Sequence, residues 1–318
     1  MNRAPWLGMT ALRERFSGNV MAIRARAQRV RARTAAAPPS LSRREWLAIA
    51  AVAAVVILSV GLAFDRISIF RARALAPFVV ELSAFISDAG QSQWELFPAG
   101  MLVLILLCCR WNAVPRHLRV FWTEIGALSA FVFASIGGSG ILVNILKQPI
   151  GRGRPPTFDD FGAFTLQPFR FVYEFQSFPS GHATTGGALI ALGFLIFTRW
   201  RIAFLVFGLA IGASRVAVAA HYPSDVTAGL MLGFTFTMWL AAVFARYGWA
   251  FHRGATGATR ALCGAVRRVW RSPAGFLIAL AGLADALTGR PRILAALASI
   301  EDGGHVGSSN RIGPPDHD

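Results

Sequence analysis

Charge is what this chain is short of. Only 15% of its 318 residues are Asp, Glu, Lys or Arg, against roughly 25% in ordinary globular proteins. Hydrophobic residues make up 54% and the mean hydropathy is +0.50. The apolar residues gather in long runs rather than at alternating positions, which points to a membrane protein and away from a soluble domain. Lysine is scarcer still: Lys147 is the only one, and the other 31 of the 32 basic residues are arginines. Cysteine is also rare. Cys108, Cys109 and Cys263 have no metal-type spacing and read as small buried hydrophobes. With no zinc-type His/Cys cluster and no EF-hand pattern, neither a metal cage nor another cofactor is expected.

The net charge of +16 would suggest a nucleic-acid partner in a soluble protein. Here the excess lies in segments between apolar runs, where orientation in a bilayer explains it better, and no basic-aromatic module appears. Nucleic acid is therefore not an expected partner, and the sequence carries no signal of oligomeric state.

Three regions are expected. Residues 1–45 hold ten arginines against Glu14 and Glu45 and read as a basic cytoplasmic tail, partly disordered or lying on anionic headgroups. Residues 46–245 read as an all-α, six-span core. The spans run from Trp46 to Phe64, about Leu96 to Cys109, about Val120 to Leu146, Gly181 to Trp200, Ile202 to Ala220, and Val226 to Ala245. Gly137, Gly138 and Gly140 in the third are small enough for close helix approach. The apolar stretch Ala74 to Ile86 contains Pro77 and Glu81 and reads as an interfacial or re-entrant helix. Residues 246–318 form a second basic tail, with Phe276 to Leu287 expected as a short amphipathic helix and the last twenty or so residues as disordered.

Arginine placement orients the spans. Arg110, Arg116, Arg119, Arg199, Arg201 and Arg246 fall on the side of the N-terminal tail. Residues 65–95 place three arginines beside Asp65, Glu81, Asp88 and Glu95 on the other side. The expected topology is N-in and C-in, with 147–180 and 220–225 outside.

Three chemical features fall at the outer ends of spans. Lys147 leads into Arg152, Arg154 and Pro155, a cationic stretch that two glycines let curl. A lone lysine among arginines suggests that a compact point charge is wanted there. Pro179-Ser180-Gly181-His182 opens a helix, whose free N–H groups and dipole favour an anion. Ser214-Arg215 precedes His221-Tyr222-Pro223-Ser224-Asp225. Arg215 within an apolar span implies a polar cavity or a partner. Asp225 can hold one ring nitrogen of His221 and turn the other outward as nucleophile or base. Read singly, these are an interfacial anchor, a polar cap and a satisfied turn. Together they match the needs of a phosphoryl-transfer site.

Lys147-x6-Arg154-Pro155, Pro179-Ser180-Gly181-His182 and Ser214-Arg215-x5-His221-x3-Asp225 resemble, in order and without substitution, the three-part signature of the type-2 phosphatidic acid phosphatase family. That superfamily includes bacterial acid phosphatases and vanadium haloperoxidases. The resemblance covers residues 147–225 in its motifs and about 46–245 in its spans. It implies a six-helix transmembrane bundle with the active site at the outer helix ends. It also implies a metal-free phosphohydrolase acting through a phosphohistidine. His221 would be the nucleophile, Asp225 its orienting partner, and His182 the acid that protonates the leaving group. Lys147, Arg154 and Arg215 would bind phosphate oxygens, helped by Ser180 and the Gly181 N–H. Arg152 is not a signature position and is expected only to add charge.

The expected substrate is a membrane lipid phosphate or diphosphate, met on the outer face of a bacterial inner membrane. Two alternatives stay open: a lipid phosphotransferase with the same intermediate, and a non-catalytic protein that binds or transports lipid phosphates. Paired histidines speak against the second, since binding alone does not need them. The loop 156–178 is dense in aromatics, among them Phe161, Phe164, Phe169, Phe171 and Tyr173, suited to interfacial anchoring or to holding a lipid chain.

Overall fold

A computed structural model describes residues 5–34, 41–254, 259–271, 273–291 and 293–296. The C-terminal stretch expected to be disordered lies outside the described residues. Long apolar runs, punctuated by proline or a polar cap at their starts, become helices. They are α1 Pro5–Thr34, α2 Arg43–Arg73, α3 Pro77–Asp88, α4 Gln93–Cys108, α5 Arg116–Ile150, α6 Gly181–Leu195, α7 Arg201–Ala217 and α8 Pro223–Arg246. A hairpin of β1 Phe251–Arg253 and β2 Thr259–Ala261 follows, in antiparallel register with His252 opposite Arg260. Then come α9 Gly264–Val269 and α10 Pro273–Thr288.

Among the described residues five helical runs are long and apolar enough to cross a membrane: Arg43–Arg73, Pro77–Cys108, Arg116–Ile150, Thr198–Ala217 and Pro223–Arg246. Their outward side chains are large and apolar. On α2, Leu47, Val52, Val55, Leu58, Leu62 and Phe64 are all exposed, which suits hydrocarbon rather than water. The expected count of six is not met by this measure, because α6 has only 15 residues, short of the roughly 20 needed to span. Twelve of its residues are buried, so protein rather than lipid surrounds it and its length need not match the bilayer.

Two expected boundaries move. The stretch Ala74 to Ile86, expected as an interfacial or re-entrant helix, forms a helix of its own from Pro77 to Asp88. Pro77 starts α3 at its first turn, and α3 and α4 together form the run Pro77–Cys108. The first span does not stop at Phe64 either: Asp65 and Arg66 continue α2, through a π-helical turn over Gly61–Asp65. Asp65 is tolerated there because an arginine and a serine meet it, as described below.

The chain divides into two compact units: residues 1–25, 104–126 and 263–318, and residues 26–103 and 127–262. Within the smaller unit, the Glu124 carboxylate accepts hydrogen bonds from the Ala265 and Val266 N–H groups at the start of α9, 2.9 and 3.0 Å long. Trp122 Nε1 donates to the Ala279 carbonyl of α10 at 3.0 Å.

The larger unit is built around α6. A Cβ on Gly187 would lie 2.1 Å from the Leu230 carbonyl oxygen of α8, and one on Gly233 2.0 Å from that of Thr184. Gly186 and Gly208 stand in the same relation between α6 and α7. Small residues thus let the helix backbones touch. The glycines singled out from the sequence on α5 contribute less: Gly138 packs against the Phe236 ring, while Gly140 has open space where a Cβ would be. The core below these contacts joins Phe131, Ile136, Leu189, Leu192, Ile211, Phe244 and Phe251.

Candidate active site

Backbone contact between α6 and α8 sets the site. The Ser180 N–H donates to the Asp225 carbonyl at 3.0 Å, and a Cβ on Gly229 would collide with the Ser180 carbonyl oxygen at 2.4 Å. The two motif-bearing helix starts are therefore clamped side by side. Ser180 is the N-cap of α6, its hydroxyl accepting from the Ala183 N–H at 3.5 Å. Gly181 has nothing within 4 Å of where a Cβ would be. No protein group requires glycine there, so the space is free for an anion at the helix N-terminus.

The Lys147–Pro155 stretch is zipped to the following loop. Gly151, at φ +58°, packs so closely that a Cβ would lie 2.0 Å from the Gln167 carbonyl oxygen. That turn needs glycine for both reasons. Backbone bonds from Gln167 N–H to Gly151, from Gly153 N–H to Thr165, from Arg154 N–H to Glu174 and from Ser177 N–H to Arg152 then hold the two strands of chain together. The Arg154 guanidinium is fixed by three carbonyls: Nε to Tyr173 at 3.0 Å, Nη1 to Ala220 at 3.2 Å and Nη2 to Gln176 at 3.1 Å. The Tyr173 ring lies 3.8 Å beneath it. So held, its Nη1 is 3.5 Å from His221 Nε2.

On the other side of that ring, His221 Nδ1 is 3.7 Å from Asp225 Oδ2, an ion-pair distance longer than a hydrogen bond. Burial pushes the His221 imidazole down to about 4, with Asp225 opposing the shift and the Arg154 and Lys147 charges adding to it. The ring is therefore neutral near pH 7, with a free lone pair available on one nitrogen. His182, at the first turn of α6, is part-buried and makes no hydrogen bond among the described residues. The charges of Arg215, His221 and Lys147 all reach it. Arg215 Nη1 donates to the Ser87 hydroxyl of α3, while its Nε is buried without a partner. Lys147 is buried, and its side chain forms no hydrogen bond among the described residues.

Every residue singled out from the sequence is thus drawn to one place: Lys147, Arg154, Ser180, Gly181, His182, Arg215, His221 and Asp225. Arg152 differs from expectation. It does not add its charge to the open pocket. Its Nη1 donates to Asp225 Oδ1 at 2.5 Å and to the Ser224 hydroxyl at 2.7 Å, and its Nη2 donates to Asp65 Oδ2 at 2.7 Å. Asp225 Oδ2 accepts from the Ser177 hydroxyl at 2.6 Å and from the Tyr222 N–H at 2.9 Å. Asp65, Ser87, Ser177 and Ser224 have no site role in the sequence reading. Asp65 alone carried a signal, an acid at the edge of an apolar run. The loop aromatics Phe161, Phe164, Phe169, Phe171 and Tyr173 are exposed.

A ring nitrogen beside a guanidinium, with two more cations and a second imidazole around it, can bind a tetrahedral anion and attack it. The comparisons agree with that chemistry. The family model described as PAP2 superfamily matches residues 128–249. The chain is 41% identical over 201 residues to a lipid A 1-phosphatase of Rhizobium johnstonii, covering 62% of this chain and 79% of that protein. It is 40% identical over 178 residues to a lipid A 1-phosphatase of Rhizobium etli, covering 54% and 75%. Among solved structures it matches a transmembrane PAP2 type phosphatidylglycerolphosphate phosphatase from Bacillus subtilis, at 20% identity and a TM-score of 0.42, covering 62% and 92%. The chain, a multi-pass membrane protein, belongs to the PAP2 superfamily.

Proposed function

We propose that this membrane lipid phosphatase hydrolyses the phosphate ester of a lipid of the lipid A kind, through a phosphohistidine on His221 and without a metal ion. The environment of the His221 ring carries the reading. Nδ1 faces a carboxylate that can hold its proton, and Nε2 faces Arg154 in a pocket of cations. Nε2 attacks phosphorus in line and the P–N bond forms as the bond to the lipid oxygen breaks. Burial and the Arg215, His221 and Lys147 charges push His182 down to about 4, so it takes up the proton it gives that oxygen once the bound phosphate's negative charge offsets those cations. Water, deprotonated by His182, then attacks the phosphohistidine and releases phosphate. Lys147, Arg154 and Arg215 neutralise the equatorial oxygens, work that electrostatic preorganisation performs in phosphoryl transfer generally. Among the described residues no three His, Cys, Asp or Glu side chains group as metal ligands would.

An apolar cavity of about 560 Å³ supports a lipid substrate. It lies between α2, α5 and α8, lined by Ile49, Ala53, Leu146, Met231, Phe236 and Trp239, and reaches Phe178 and Pro179. Leu146 and Pro179 in its wall are the sequence neighbours of Lys147 and Ser180, which suits an acyl chain lying near the phosphate-binding residues. The arginine pattern supports a pocket on the outer face of the inner membrane. The relatives named for lipid A support a lipid A phosphate over a glycerolipid one.

Phosphate release by purified protein in detergent, from lipid A, phosphatidic acid and a polyprenyl diphosphate, tests the substrate. Lipid A should turn over fastest. Faster turnover of either other lipid would refute the assignment. Acid-stable phosphate appearing on another lipid in place of free phosphate would make the protein a phosphotransferase.

A further inference from the structure

Behind His221 lies a buried charge chain of which the signature motifs contain only Asp225. Asp225 is fully buried and accepts from Arg152, Ser177 and Tyr222. Arg152, also buried, bridges Asp225 to Asp65, 87 residues earlier in the chain. Asp65 in turn accepts from the Ser224 N–H at 3.0 Å and the Ser224 hydroxyl at 2.5 Å. The π-helical turn Gly61–Asp65 turns this carboxylate inward, and Gly61 leaves room for it: a Cβ there would lie 3.3 Å from Asp65 Oδ2 and 3.5 Å from Ser224 Cβ. Such turns inside helices recur at functional sites.

The charges explain why a second carboxylate is present. An ion pair of Arg152 with Asp225 alone would be neutral, and Asp225 could then do little for His221. With Asp65 included, two carboxylates share one guanidinium and the cluster keeps one negative charge. We propose that Asp65 is a positioning residue of the phosphatase reaction: it takes up half of Arg152, so that Asp225 is held rigidly yet still faces His221 as an anion. Burying an acid in a membrane span is costly, and Asp65 offsets that cost by sustaining the charge that steadies the His221 ring as it becomes cationic in attack. This inference rests on His221 being the nucleophile.

Steady-state hydrolysis of an aryl phosphate by the full chain in detergent, across a pH series, tests it. The other charged or titratable groups facing His221 are Arg154 from the loop, Lys147 from α5 and His182 from α6, and they remain in every variant. Asp65→Asn should lower kcat roughly tenfold to a hundredfold, the range of coupling within one ion-pair network. KM and inhibition by vanadate should stay within about twofold, because the anion pocket is untouched. The acid limb of kcat should move to lower pH, since the imidazole has lost negative field. The double variant Asp65→Asn/Arg152→Gln restores the net charge of minus one and should come back to within about tenfold of wild-type kcat. Wild-type kcat in Asp65→Asn would overturn the proposal. So would a kcat loss with no movement of the acid limb. If the single variant does not fold, the double variant decides alone: a loss of more than about tenfold overturns the inference. His221→Ala runs in parallel. Activity in that variant would bring down the nucleophile assignment itself, whereas an inactive His221→Ala beside a normal Asp65→Asn would bring down only the role of Asp65.

Discussion

The two sides of His221 are built by opposite rules. Behind it, Asp65, Arg152, Ser177, Ser224 and Asp225 satisfy one another with bonds of 2.5 to 3.2 Å, counting the Arg152 bonds to the Ala163 carbonyl. In front, the side chains of Lys147 and His182 make no hydrogen bond among the described residues, and the buried Arg215 Nε has no partner. An unsatisfied buried donor costs about 1–3 kcal/mol, so a pocket of them persists where a ligand completes it. The rear bonds are complete among themselves and hold Asp225 Oδ2 3.7 Å from His221 Nδ1, which is buried and has no hydrogen-bond partner of its own among the described residues. Under the proposed function, a bound phosphate would supply the bonds that the front lacks.

Removing the group between the two sides should have the largest effect. His221→Ala should cut turnover on the order of 10⁴–10⁶-fold, as loss of a nucleophile does in other covalent enzymes. The loss should be as severe with an aryl phosphate as with the lipid, because no leaving group replaces an absent nucleophile. Rescue by the aryl substrate, measured as burst and steady-state release of the phenol, would show that His221 is the proton donor instead.

The next largest loss should come from His182, and it should depend on the substrate. A lipid alkoxide needs its proton, and general acid catalysis contributes roughly 10²–10⁴-fold. A phenolate leaves without help, so His182→Ala should lose far less on the aryl phosphate. Equal losses on both would make His182 a phosphate ligand. On the front side, Lys147→Arg keeps the charge but replaces a compact ammonium with a planar fork. Turnover should fall by about 10²–10³, the usual contribution of one positioned oxyanion donor. Wild-type turnover would leave Lys147 as an interfacial anchor.

The same division decided what could be read from the sequence. The front was legible because phosphate chemistry demands particular residue types at the ends of helices, and those ends fall in short, recognisable strings. The lone Lys147 and the arginine inside an apolar span at Arg215 stood out by composition alone. Of the rear, only Asp225 was legible. Arg152 resembled one more cation in a cationic loop, and its real partners, Asp65 and Asp225, lie 87 and 73 residues away. In the sequence Asp65 reads as the end of the first span, since a charge ordinarily stops an apolar run. Only tertiary pairing lets α2 continue through it to Arg73. A similar cause hid the length of α6: a helix wrapped in protein obeys packing rather than bilayer thickness.

The smallest effect is a titration, and it bears on both sides at once. Burial holds His221 at about 4, below the ordinary 6.5, with Asp225 pulling up and the Arg154 and Lys147 charges pushing down. The folded protein should therefore keep a neutral imidazole down to about pH 5, while the unfolded chain takes up the proton as pH falls through about 6.5. Because the unfolded state binds more protons in that window, His221 should make folding stability decline as pH drops from about 6.5 to 4, with no contribution to the slope above it. The ¹⁵N shifts of the His221 ring, assigned by their loss in His221→Gln, give the midpoint directly. Vanadate in the pocket places negative charge against Lys147 and Arg154 and cancels their push, so the midpoint should rise when it binds. A midpoint near 6.5 in the free protein would mean that the ring is more open to water than its burial implies. A midpoint unmoved by vanadate would mean that the anion binds away from Nε2, and that the front of the site is not where the phosphate lies.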